Sequence, residues 1–427
     1  MNASPTFHVW LGMLALGLSA CQPSGAQDPR PTPAPAPTAQ DIASAYHPTY
    51  KAAAGTRSEC LGRLAFEVSD KPAFEWGLPR RVRNNTSILG FSRILNGGQD
   101  AIRLANVSVV VAAQATPETI REMRRSTSVD KSLALKRFDE NIKGDLSAAE
   151  SLEEKMGRPE IQADPVEVAR LKTYAAKFKD SSKDYERRKQ NLDKDWHPTD
   201  WGLPQSTGYI AGPTLYAFVL RGGFAFQFMS TGGEGEAPFE QRLAAFKDLL
   251  SRFEYRPLYQ VPAKPGLCIP HGFINDNGQG HFSAEVSYRF TDSPGVIYTL
   301  ATAVEGERNF NPNEPLLEAT ARSTVAGLIG NAYGRKLKAL GPKGTSIGAR
   351  SGVLGGIYTA GGTPGYSVYA GARGWDHSQV LPFISLNMRS FDRETAPEDL
   401  KVNPPPFRAS MQRFELTLGS LRTRKAP

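Results

Sequence analysis

The chain has 427 residues, a formal net charge of +8 and 40% hydrophobic residues, which is apolar material for real cores at a length beyond the usual single domain. Its positive charge is spread along the chain, which excludes a dedicated nucleic-acid arm and leaves an acidic protein or anionic lipid headgroups as what a basic surface would meet.

The apolar run Val9 to Leu18 is too short to span a bilayer and leads into Leu18-Ser19-Ala20-Cys21. That pattern predicts a lipoprotein signal peptide over residues 1–21, with Cys21 lipidated after cleavage. Gln22 stands where Asp would signal inner-membrane retention, so the expected location is the periplasmic face of the outer membrane. Residues 22–44 are rich in Pro, Ala, Gln and Thr, a composition that favours extended conformers and predicts a tether. The other two cysteines, Cys60 and Cys268, form an even pair in an oxidising compartment. A disulfide is expected, the alternative being two separate buried thiols.

Two stretches share one plan. Phe239, Leu243, Phe246, Leu250 and Phe253 follow Pro238 at helical spacing, and Phe407, Met411, Phe414, Leu418 and Leu421 follow Pro406 at the same spacing. Each stripe predicts a core-facing helix that closes a domain. Each half also opens on a cysteine followed by a strand-like segment, Cys60 to Val68 and Cys268 to Ile274. The expected architecture is α+β: two related domains, 45–258 and 264–424, with mainly antiparallel sheets. Residues 131–195, rich in Lys, Glu, Asp and Ala and broken at Gly157-Arg158-Pro159, predict a charged helical hairpin inserted in the first domain. It reads as a solvated face or a contact arm. Further strands are expected at 107–113, 215–220, 224–229, 282–290, 296–301, 352–360, 366–372 and 381–388, with a helix at 314–328.

Catalytic patterns fail on context. Gly344-Thr345-Ser346-Ile347-Gly348 has the literal nucleophile spacing, but no core strand precedes Ser346 and no helix follows it. The histidines are scattered singly, so no metal site is expected. Asn275 to Gly280 lacks a terminal glutamate and reads as a turn, and the glycine-rich stretch 352–374 opens no helix, so no cofactor is expected. Trp-Gly-Leu-Pro, at 76–79 and 201–204, reads as a turn with a packed indole. The loops carrying Arg308 with Phe310, and Arg373 with Trp375, combine side chains that anchor protein interfaces, and these four are the expected partner-binding residues.

Cys60-Leu61-Gly62-Arg63, the segment Cys268 to Ile274 ahead of the strand 282–290, and the ending Leu416 to Arg424 resemble the immunity proteins that neutralise phospholipase effectors of the type VI secretion system. The resemblance covers most of residues 45–424. It implies a periplasmic, lipid-anchored, non-enzymatic inhibitor whose two α+β domains clamp a cognate lipase, with membrane contact through the anchor only. An envelope scaffold lipoprotein and a serine esterase using Ser346 are the competing expectations.

Overall fold

The computed structural model describes residues 36–78, 81–83, 86–88, 102–125, 127, 131–232, 237–304, 337–359, 365–375, 377–391 and 402–424. Cys21, Arg308, Phe310 and the expected helix 314–328 lie outside the described residues. Residues from Ala36 onward belong to one compact unit. A helix, α1 (Ala39–Ala45), occupies residues that composition assigned to the tether. Thr38 caps it, accepting from the Asp41 backbone N–H while the Asp41 carboxylate accepts the Thr38 N–H, so a Thr-x-x-Asp capping box overrides the surrounding Pro and Ala.

Each cysteine segment is a hairpin, where one continuous strand was expected. Strands β1 (Thr56–Leu61) and β2 (Leu64–Ser69) turn at Gly62-Arg63, where Gly62 has φ +57°, a conformation favouring glycine. The turn aligns Cys60 with Ala65 across the pair. In the second domain β13 (Leu267–Ile269) and β14 (Gly272–Ile274) turn at Pro270-His271, aligning Cys268 with Phe273. The two cysteines therefore hold equivalent positions.

Among the described residues one antiparallel sheet has 13 strands. In the first domain β6 (Ile102–Leu104) pairs with β7 (Val107–Ala112), followed in space by β11 (Phe224–Ser230), β10 (Thr214–Arg221), β9 (Ser206–Ala211) and β8 (Trp196–Thr199). The second domain repeats that order with β15 (Phe282–Phe290), β16 (Val296–Ala303), β20 (Phe383–Ser390), β19 (Tyr366–Ala372), β18 (Arg350–Thr359) and β17 (Leu337–Ile347). The two arrays join where β6 pairs antiparallel with β15, and β3 (Phe74–Trp76) also pairs with β15. The two halves repeat one strand order, and their strands form a single sheet within one compact unit.

One face of this sheet carries a core cluster that runs through both domains. Val107, Val109, Val111, Phe226, Phe228, Tyr288, Leu300 and Leu386 meet two helices there, α6 (Phe239–Ser251) through Phe246 and Leu250, and α7 (Phe407–Ser420) through Phe414 and Leu418. The stripes are as the spacing requires, except at their last members: Phe253 opens a short strand, and Leu421 is the residue capping α7. The indole of Trp201 packs edge-on against Phe246 and donates from Nε1 to the Tyr216 carbonyl at 2.8 Å. On the other face of the first domain's strands, α2 (Pro117–Arg125) buries Met123 against Tyr209, Tyr216 and Phe218.

Helices α3 (Lys131–Met156) and α5 (Pro165–Asp195) form the hairpin, with the short α4 (Pro159–Gln162) at its turn. Small buried residues, Ala134, Ala149 and Ala175, let the helices approach, and Lys179–Glu153 and Lys189–Asp139 bridge them. No helix among the described residues is long and apolar enough to cross a membrane.

Candidate functional site

Ser346 is exposed near the end of β17, opposite Ser351 on β18. The chain turns at Gly348-Ala349 directly into β18, so the motif is strand-turn-strand, where a nucleophile elbow needs strand-turn-helix. The turn is packed: Gly348 has φ +57°, its N–H donates to the Leu418 carbonyl at 2.8 Å, and a Cβ there would meet the Leu421 carbonyl oxygen at 1.9 Å. Among the described residues no group of three His, Cys, Asp or Glu is placed to hold a metal. Asp276 keeps the Asn275 to Gly280 segment as a turn, accepting from the Gly278 and Gly280 backbone N–H groups at 3.0 and 2.9 Å.

The described functional groups converge instead where the two domains join. After α6 the chain forms β12 (Phe253–Tyr255), which pairs with β14 of the second domain. After α7 it forms β21 (Arg422–Thr423), which pairs with β2 of the first. Each domain thus completes the other's hairpin. Between the hairpins Cys60 and Cys268 are disulfide-bonded, and Gly62 and Cys268 exchange backbone hydrogen bonds of 2.8 Å in both directions.

Buried charge surrounds the disulfide. Glu59 is fully buried and Arg256 nearly so, and they form an ion pair. Glu59 also accepts from the Tyr259 backbone N–H, while Arg256 donates to the carbonyls of Cys60, Ile269 and Gly272. Arg63 binds Asp276 in a two-pronged pair, Nη1 to Oδ1 at 3.0 Å and Nη2 to Oδ2 at 2.6 Å, and donates from Nε to Gln379 at 2.8 Å. His271 stacks on Phe224, and burial, reinforced by the Arg256 charge, lowers its pKa to about 4.

Of the nominated partner-binding residues, Arg373 and Trp375 are half-buried in the loop before β20, with the Trp375 N–H donating to the Leu381 carbonyl at 3.0 Å. The same loop sends Gln379 to Arg63. Composition missed Glu59, Arg63, Asp276 and Arg424, because each looks like an ordinary surface charge until the hairpins are docked. Large apolar side chains are exposed on the helical hairpin, Val166 at 78%, Tyr174 at 48% and Leu146 at 40%, which an isolated solvated face does not need.

Residues 260–426 match the family model described as the Tle cognate immunity protein 4 C-terminal domain, and that match spans the second domain. The resemblance read from the sequence therefore holds there. No curated protein matches the chain. Among solved structures, the Tle4-Tli4 complex contains a chain 15% identical, with a TM-score of 0.51 over 88% of this chain and 100% of that one. The immunity protein TplEi of T6SS from Pseudomonas aeruginosa, complexed with "L" peptide, is 13% identical, with a TM-score of 0.48 over 87% of this chain and 99% of its own. At these identities the Tle4-Tli4 likeness is one of α+β fold.

Proposed function

We propose that the chain is an immunity protein that binds and blocks a cognate type VI secretion phospholipase effector, protecting the cell that makes it. The match of residues 260–426 to the Tle cognate immunity protein 4 C-terminal domain carries this reading. The likeness of the fold to a protein solved in the Tle4-Tli4 complex supports it. The role is read as binding without turnover, because Ser346 sits in a strand-turn-strand hairpin and lacks the strand-turn-helix setting that presents a nucleophile.

The inhibitor acts from the periplasmic face of the outer membrane, held by a lipid on Cys21. The Leu18-Ser19-Ala20-Cys21 signal and the Cys60–Cys268 disulfide favour that placement, since disulfides persist in oxidising compartments. Tethering puts the inhibitor beside the phospholipid its target attacks. Blocking a lipase needs a specific interface of at least about 1,000 Å².

The test is coexpression with candidate type VI phospholipase effectors exported to the periplasm. Cells carrying the chain survive and cells lacking it lyse. Lysis in both, or esterase turnover by the purified chain that Ser346→Ala abolishes, overturns the reading.

A further inference from the structure

Two imidazoles that lie far apart in sequence meet beside the joint. His281 is the last residue before β15 and His377 lies in the loop before β20, and their ring centroids stand 5.6 Å apart with the planes at 87°. Both side chains are exposed, and among the described residues neither has a hydrogen-bond or ionic partner. Each ring therefore keeps a nitrogen lone pair that no other group uses.

One buried side chain holds both backbones in place. Arg63 donates from Nη2 to the carbonyl of Gly280, the residue before His281, at 3.0 Å, and from Nε to Gln379, two residues after His377, at 2.8 Å. The Ala105 N–H fixes His281 further, donating to its carbonyl at 2.7 Å. On the other side the Ser378 N–H donates to the Trp375 carbonyl at 2.9 Å, and His377 sits within that turn at φ +57°. This left-handed conformation is uncommon outside glycine and persists where the surroundings over-determine it. The meeting of the two rings is thus built into the backbone.

Their separation is that of ligands sharing one metal ion. Two imidazoles that each bind an ion through nitrogen at about 2.0–2.1 Å bring their ring centroids to roughly 5–6 Å. Imidazole favours Zn²⁺, Cu²⁺ and Ni²⁺, whereas Mg²⁺ and Ca²⁺ take oxygen ligands. With two protein nitrogens, water completes the coordination, and the ion is exchangeable.

We propose that His281 and His377 form a two-histidine site for a divalent transition-metal ion, which clips the turn ahead of β15 to the loop ahead of β20. The ion braces the same two segments that Arg63 spans from below. The site does not rest on the function proposed above.

Zn²⁺ is the probe, titrated into the purified, chelator-treated chain with Mg²⁺ as control and followed at the histidine ring C–H resonances. The resonances of two histidines are expected to move together and saturate at one equivalent, while those of His197, exposed on β8, stay in place. His281→Gln and His377→Asn, the latter tolerating the positive φ, are each expected to weaken Zn²⁺ binding at least tenfold. The double variant should lose far less than the product of the two, since either change alone breaks the chelate. Zn²⁺ should raise the melting temperature of wild type and of neither variant, and leave the sedimentation coefficient unchanged, because both ligands belong to one chain. The proposal is overturned if either variant binds Zn²⁺ as wild type does, if Mg²⁺ moves the same resonances, or if Zn²⁺ binds only as chains associate. Failure here leaves the immunity reading intact, and a chain that fails to protect cells can still bind the ion.

Discussion

Arg256 donates its backbone N–H to the carbonyl of His271 at 3.0 Å, and Arg424 donates its own to the carbonyl of Arg63 at 2.8 Å. Each arginine follows its domain's closing helix and reaches the second turn residue of the other domain's hairpin. The domains are interlocked by exchange, so neither closing strand serves its own half. Removing residues 422–427 should therefore weaken the first domain, by freeing the edge of β2 that pairs with β21. Hydrogen exchange at Leu64 and Ala65 should accelerate at least tenfold in the truncated chain, and unchanged protection there would contradict the interlock.

The disulfide closes a loop with a sequence separation of 208, which constrains the unfolded chain strongly. Replacing Cys60 and Cys268 together by alanine is expected to cost about 2–5 kcal/mol, read from denaturant midpoints with and without reductant. Reductant should lower the wild-type midpoint and leave the double variant's unaltered.

Position decides what an ion pair contributes. Glu59→Ala leaves the Arg256 guanidinium buried without its counterion and should cost about 3–5 kcal/mol. Glu153→Ala removes a pair on the hairpin surface, in which both side chains are nearly half exposed, and should cost under about 1 kcal/mol. Equal losses in chemical denaturation would contradict the assignment of Glu59 to the joint.

Acid should weaken the same joint through His271. Its folded pKa of about 4 lies below the ordinary value of 6.5, so between these limits the unfolded chain takes up a proton that the folded chain refuses. Stability from this group is present in full above about pH 6.5 and is lost as pH falls toward 4. The loss is on the order of 3 kcal/mol. His271→Asn, which tolerates the positive φ at this position, should flatten that part of the stability profile. Parallel profiles for the two proteins between pH 7.5 and 4.5 would exclude His271 as the source.

The repeat was legible because Phe246 and Phe414 sit mid-stripe in helices whose apolar period is unbroken, and because strands such as 282–290 and 366–372 are rich in aromatic and aliphatic residues. The strand 337–347 was not, since Gly341, Pro342, Gly344 and two lysines belong to an edge that one neighbour alone pairs, with a register shift between Leu340 and Lys343. Cys60 to Val68 read as one strand because a two-residue turn interrupts no hydrophobic pattern. The buried charges of the joint could not be read at all: Glu59 meets Arg256, and Arg63 meets Asp276, only once the two hairpins are docked.

The binding constant between this chain and the phospholipase effector against which it protects, with that enzyme's activity measured in the same mixture, bears most directly on the proposed role. A specific inhibitory complex gives a Kd of about 10 nM or below, with lipase turnover falling in step with occupancy. No detectable complex at micromolar concentrations, or a complex in which the lipase keeps its full turnover, would contradict it.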